Sequence, residues 1–165
     1  MDFWQELAIS FFGTLAGAAT ALLSGAYAQR REAHSKEAAA LNGLLLDLNL
    51  KRALSIGNPS YADPSVAAKD IGRCSESVLD TRRLIREART QLRPNSGAFG
   101  QLADMAGACN LYLHKANIKP GKYQFYLAEL QSQLDKLATD LSGSKRIVYR
   151  RPGGAAYIST ADPRA

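Results

Sequence analysis

The chain has 165 residues, a formal net charge of +6 and a hydrophobic fraction of 46%. This length favours one anchored domain over two independent ones. Its two cysteines, Cys74 and Cys109, are too few for a disulfide framework and fit a reducing cytosol, so we expect two free, mostly buried thiols.

The first predicted element is a membrane-spanning helix. The segment from Leu7 to Gln29 is 23 residues long and contains no charged side chain. At about 1.5 Å per residue, its length exceeds the roughly 30 Å of a hydrocarbon core. Asp2 and Glu6 precede the segment, whereas Arg30 and Arg31 follow it. By the positive-inside rule, we expect the N-terminus outside the inner (plasma) membrane and the rest of the chain in the cytoplasm.

Small residues recur at every fourth position of this segment: Gly13, Gly17, Ala21 and Gly25. Such a stripe lies along one side of a helix and lets two backbones approach closely in lipid. We therefore predict that these four residues form an oligomerisation face, and we expect a homo-oligomer.

Two other interpretations of the N-terminal segment stay open. Residues 26–28 read Ala-Tyr-Ala, which resembles the cleavage site of a secretory signal peptide, although the acidic start and the long apolar run disfavour it. A buried helix of a soluble protein is the other alternative, because Ser10, Thr14, Thr20 and Ser24 lower the hydropathy.

The first helix is expected to continue into the cytoplasm, because residues 32–55 lack proline and are rich in helix-forming residues. Leucines and alanine occupy two sides of this continuation, so we expect both sides to be buried. One side holds Leu41, Leu44, Leu45 and Leu48, and the other holds Leu46, Leu50 and Ala53. The sequence Gly57-Asn58-Pro59 is predicted to end the helix.

A second helix is predicted over about residues 64–92, after an Asp63-Pro64 start signal. Apolar residues recur along it at alternating spacings of three and four, which indicates a packing seam. The seam comprises Ile71, Cys74, Val78, Thr81, Ile85, Ala88 and Leu92.

A row of arginines follows this seam one residue later: Arg82, Arg86, Arg89 and Arg93. Such a row is a candidate site for anions such as phosphate groups. The alternative is a solvated helix surface whose charges are balanced by Asp80 and Glu87.

Two more helices complete a predicted four-helix bundle. One runs from about Ala98 to Lys115, with a seam of Phe99, Leu102, Ala106, Cys109, Leu113 and Ala116. The other starts near Tyr123 and ends at Gly143, with a seam of Leu127, Leu130, Leu134, Leu137 and Leu141. A turn at Lys119-Pro120-Gly121 is predicted to join them.

The C-terminal residues 144–165 hold +4 of the net charge. Their β-branched and tyrosine residues flank Arg151-Pro152-Gly153-Gly154, which suggests a β-hairpin or a basic tail. The basic residues near the two ends of the chain are candidates for contact with anionic lipid or nucleic acid, whereas a solvated basic tail is the favoured interpretation of the C-terminal ones. The basic residues at the two ends are Arg30, Arg31, Lys145, Arg146, Arg150 and Arg151.

The sequence contains no motif for catalysis or for a cofactor. His34 and His114 fall on different predicted helices, and no metal-ligand spacing of histidine or cysteine is present. The chain also lacks a P-loop and a G-x-S-x-G motif. We therefore predict a protein that is not an enzyme and binds neither metal nor cofactor.

The predicted fold is all-α. A single transmembrane anchor (residues 1–29) continues into a cytosolic four-helix bundle (30–143), followed by a short basic tail or hairpin (144–165). The predicted function is a membrane-anchored interaction or scaffold protein that self-associates, with a cytosolic protein as a further partner. The first alternative is an oligomeric pore-forming effector, because the layout is similar to that of small membrane effectors in bacterial antiphage defence. The second is a basic, helical nucleic-acid-binding protein.

Overall fold

A computed structural model describes residues 3–61, 64–143 and 146–156, including all their side chains except those of residues 3–24, 26 and 64–67. It contains four helices: α1 (Phe3–Leu50), α2 (Pro64–Thr90), α3 (Ala98–Ile118) and α4 (Tyr123–Leu141). Short 3-10 turns at Arg52–Leu54 and Pro120–Lys122 follow α1 and precede α4. The all-helical prediction is confirmed, and the described residues contain no strand.

The chain divides into two compact units, Met1–Lys36 and Glu37–Ala165. In the first unit, the described part is a stretch of α1, on which Lys36 and Glu32 form an exposed ion pair of 2.8 Å. The second unit contains the hydrophobic core of the bundle.

One hydrophobic core fills the second unit, and the predicted seams supply most of it. Val78, Thr81 and Ile85 of α2 are 2% exposed or less, as are Leu127, Leu130 and Leu134 of α4. On α3 the core face also includes three residues outside the predicted seam, Met105, Ala108 and Tyr112. The buried leucines of α1 are Leu41, Leu44, Leu45 and Leu48.

The prediction that α1 is buried on both sides is wrong. Leu46 is 41% exposed and Leu50 is 53% exposed, whereas Ala53 packs against the core. The physical reason is that α2, α3 and α4 cover one side of α1 only. Ala39, Gly43, Leu46 and Leu50, which we call the outer face of α1, are therefore exposed.

Helix α1 ends at Leu50, before the predicted Gly57-Asn58-Pro59 signal. The last carbonyl groups of a helix need donors from elsewhere, and residues distant in sequence provide them here. The Gly153 N–H donates to the Leu48 carbonyl over 2.9 Å, and the Ala155 N–H donates to the Asn49 carbonyl over 3.1 Å.

The hairpin prediction is wrong for residues 146–156, which form turns and irregular segments without a strand. Several backbone groups of this segment instead bond to side chains of α1 and α4 and to backbone carbonyls of α1. We call residues 146–156 the basic strap. Predictions for Lys145 and for residues 157–165 lie outside the described residues.

Among the helical residues whose side chains are described, no stretch is long and apolar enough to cross a membrane. Most of the predicted span, Leu7 to Gln29, lies outside those residues, and it stays a prediction.

Candidate interaction surfaces

The outer face of α1 lies directly opposite the core. At about 100° per residue, the mean direction of Ala39, Gly43, Leu46 and Leu50 differs by about 180° from that of the four buried leucines. All four outer-face residues are exposed, and none is charged or polar. A Cβ added at Gly43 would meet no atom within 4 Å, so this part of the helix is open to close approach.

A groove of about 430 Å³ runs beside the outer face, between α1 and α2. Its floor is apolar, because Ala40 and Leu44 of α1 face Leu84 and Ala88 of α2. Its rim carries two carboxylates, which belong to Asp47 and Glu87. Glu87 forms a loose ion pair of 3.9 Å with Arg83. We call this feature the acidic groove.

The basic strap lies on the other flank of α1, where two asparagines hold its backbone. Asn42 donates to the Arg146 carbonyl over 2.9 Å and accepts from the Val148 N–H over 2.8 Å. Asn49 donates to the Arg151 carbonyl over 2.7 Å. These contacts fix the strap through its main chain, which leaves the side chains of Arg146, Arg150 and Arg151 exposed.

Helix α4 holds the strap from its second side. The Tyr149 hydroxyl donates to Asp135 over 2.7 Å, and Gln131 donates to the Pro152 carbonyl over 3.2 Å. The hydrogen bond to Asp135 is the main cause that raises the pKa of Tyr149 above its ordinary value.

Gly153 sets the closest approach of the strap to the bundle. Its φ of 71° lies in the left-handed region, and an added Cβ would be 2.4 Å from the Leu54 carbonyl oxygen. Only glycine fits a position that combines this backbone angle with so short a distance.

Three members of the predicted arginine row contact other residues of the bundle. Arg82 donates to Asn110 of α3 over 2.8 Å, and the Arg89 guanidinium lies 5.6 Å from the centre of the Phe99 ring. Arg93 forms an ion pair with Glu37. Arg86 is exposed. The row thus connects α2 to its neighbours, and anion binding by these four residues stays a prediction.

Sequence reasoning missed a buried polar cluster at the start of the second unit. Glu37 is 8% exposed and accepts hydrogen bonds from Arg93 and Ser96, which joins α1 to the loop between α2 and α3. The signal was Glu37 itself, which precedes Leu41, Leu44 and Leu48 at core-facing spacing.

A second polar contact joins Lys51, which directly follows α1, to α2. Lys51 forms an ion pair with Asp80, which also accepts from Arg83 over 2.5 Å. The hydrogen bond from Lys51 and then that from Arg83 lower the pKa of Asp80 below its ordinary value.

Of the predicted oligomerisation residues, Gly13, Gly17 and Ala21 lie outside the residues whose side chains are described. Gly25 is exposed, and a Cβ added there would meet no atom within 4 Å. Arg30 and Arg31 are exposed as well.

The two cysteines are free thiols. Burial raises the pKa of Cys109 to about 12, and burial is also the main cause that raises the pKa of Cys74. Within the described ranges, no three His, Cys, Asp or Glu side chains are grouped so that they could hold a metal ion. No protein-family model, curated protein or solved structure matches this chain.

Proposed function

We propose that this protein is a membrane-anchored helical interaction protein that self-associates. In this proposal residues 1–29 form a single-pass anchor in the plasma membrane and the bundle lies in the cytoplasm. The composition of α1 carries the proposal. This one helix, Phe3–Leu50, includes both the 23 uncharged residues and the four leucines that enter the core.

The surface of the bundle supports a role in protein contacts. The outer face of α1 exposes two leucines beside an open groove, and exposed apolar patches of this kind mark interaction sites in soluble domains. The exposed Arg30 and Arg31 follow directly on the predicted span, where basic residues favour contact with anionic headgroups.

Extraction of membranes with alkaline carbonate tests the anchor. We expect the full-length protein to stay in the membrane pellet. The double variant Leu15→Lys/Leu22→Lys should move to the supernatant, because each lysine in the middle of a span costs about 2.5–3.5 kcal/mol. Leu111→Lys, a change at an exposed site of α3, is the matched control and should stay in the pellet. Wild-type protein in the supernatant would overturn the anchor.

The mass of the protein in mild detergent tests self-association through Gly13, Gly17, Ala21 and Gly25. Gly17→Ile should lower the mass measured by light scattering, because its side chain prevents close packing of the stripe. Gly17→Ala keeps the position small and should leave the mass nearly unchanged. An oligomer of equal mass in both variants would remove the stripe from the proposal.

A further inference from the structure

The outer face of α1 has the residue pattern of a helix that packs against another helix. Ala39, Gly43, Leu46 and Leu50 follow one another at spacings of four, three and four residues, which is the repeat of a coiled-coil seam. In a monomer this seam faces solvent, with Leu46 41% and Leu50 53% exposed. Such spacing is self-complementary, since a helix with this seam can pack against an identical helix.

The two flanks of the seam carry opposite charge. Asn42 and Asn49, which hold the basic strap, lie about 80° to one side of the seam around the helix axis. Ala40 and Asp47, which line the acidic groove, lie about 80° to the other side. The apolar seam is therefore bordered by exposed arginines on one flank and by the carboxylates of Asp47 and Glu87 on the other.

The charged groups of the two flanks also lie at similar heights along α1. The strap is bound between Asn42 and Asn49. Glu37 contacts Arg93, and Lys51 contacts Asp80, so α2 runs antiparallel to this part of α1. By interpolation, Glu87 is level with about Gly43, and Asp47 lies within the same interval.

Two-fold symmetry then decides between the two ways of pairing. In a parallel pair, with the axis along the helices, the strap of each copy comes to the side on which the other copy has its acidic groove. In an antiparallel pair, each flank would face its own counterpart, which places arginines near arginines and carboxylates near carboxylates. The charges therefore favour the parallel pair.

We propose that two copies of this chain pack in parallel through the outer face of α1, and that the basic strap of each copy lies against the acidic groove of the other. Leu46 of each copy packs against Leu46 and Gly43 of the other, and Leu50 packs against Leu50, beside the groove. This contact extends the proposed self-association. It rests on the proposed anchor in one respect: copies anchored in the same membrane share one orientation, which a parallel pair requires.

Disulfide formation between single cysteines in full-length protein, in mild detergent, tests the contact and its direction. We expect Leu46→Cys and Leu50→Cys each to form a covalent dimer under mild oxidation. In a parallel pair, each seam residue lies beside the same residue of the other copy along the whole contact. In an antiparallel pair, this happens only where the two-fold axis crosses the helices. Leu111→Cys is the matched control, because Leu111 is also 41% exposed. The wild-type chain reports any background from Cys74 and Cys109.

Charge exchange tests the flanks. Asp47→Lys and, separately, Arg150→Asp/Arg151→Asp should each weaken dimer formation about tenfold, because like charges then face each other. Combining all three changes should restore much of the association. Asp104→Lys, at an exposed site of α3, should leave it unchanged.

Each outcome separates this contact from the anchor. Absence of a disulfide at both positions, or equal dimer from Leu111→Cys, overturns the contact. Disulfides at both positions in a protein that carbonate releases from membranes would keep the contact and overturn the anchor. A disulfide at one position alone would indicate an antiparallel pair and overturn the proposed direction.

Discussion

Helix α2 presents charged side chains to solvent, among them Arg83, Arg86 and Glu87. The outer face of α1, on the same bundle, presents only small and apolar ones. A solvated helix normally has a mainly polar outer side, as α2 does apart from Leu79, which is 45% exposed. Packing within one chain accounts for the presence of leucine at the inner positions of α1. It does not account for the leucines at the outer positions. A contact with another surface accounts for them.

The comparison is tested most strongly by alanine substitution on the two sides of α1. Leu45→Ala should lower the free energy of unfolding by about 2–5 kcal/mol, because it leaves a cavity in the core where Leu45 is 0% exposed. Leu46→Ala should change it by no more than about 1 kcal/mol under dilute, monomeric conditions. Urea unfolding followed by circular dichroism measures both. Equal losses would mean that the outer face is needed for the fold itself.

A second test concerns the strap that borders the outer face. Gly153→Ala should destabilise the protein by about 1–3 kcal/mol, because alanine strains the left-handed backbone and contacts the Leu54 carbonyl. Gly72→Ala is the control, since Gly72 is exposed on α2 and a Cβ there meets nothing within 4 Å. It should raise stability by about 1 kcal/mol. Thermal unfolding compares the two, and a stable Gly153→Ala variant would contradict the binding of the strap.

The smallest expected effect concerns the charges that join α2 to the end of α1. The pKa of Asp80 is lowered in the folded protein, so its carboxylate contributes stability above the unfolded-state pKa of about 3.9. That contribution is lost as the pH falls through the folded-state pKa. Because the side chain is one-third exposed, we expect at most about 1 kcal/mol.

Unfolding of wild-type protein and of Asp80→Asn at pH 7 and at pH 3 measures this effect. The two proteins should differ at pH 7, and the difference should shrink as the pH falls toward 3. A difference that grows toward pH 3 would show that the ion pair with Lys51 does not form in solution.

The bounds of α2, α3 and α4 could be predicted from the sequence to within a few residues, because turn residues flank each helix. Asp63-Pro64 and Lys119-Pro120-Gly121 are local signals that need no knowledge of the rest of the fold. The core faces of α2 and α4 were equally clear, since their apolar residues occupy one stripe.

Which side of α1 is buried could not be predicted, because leucines occur on both and periodicity does not distinguish them. On α3 the same ambiguity left Met105 and Tyr112 out of the predicted seam. The strap was missed for a different reason. The β-branched and aromatic residues 147–149 favour strands locally, whereas their actual hydrogen bonds are to Asn42 of α1 and Asp135 of α4.

The strap also sets an order of events during synthesis. Asn42 and Arg146 are 104 residues apart, and ribosomes add about 5–20 residues per second. The end of α1 therefore emerges roughly 5–20 s before the residues that complete it. During that interval the Leu48 and Asn49 carbonyl groups lack the donors that Gly153 and Ala155 provide, and Asn42 lacks its contacts with the strap. The contacts of the strap with α1 and α4 therefore form only after all four helices have been synthesised, and they complete the fold of the bundle rather than start it.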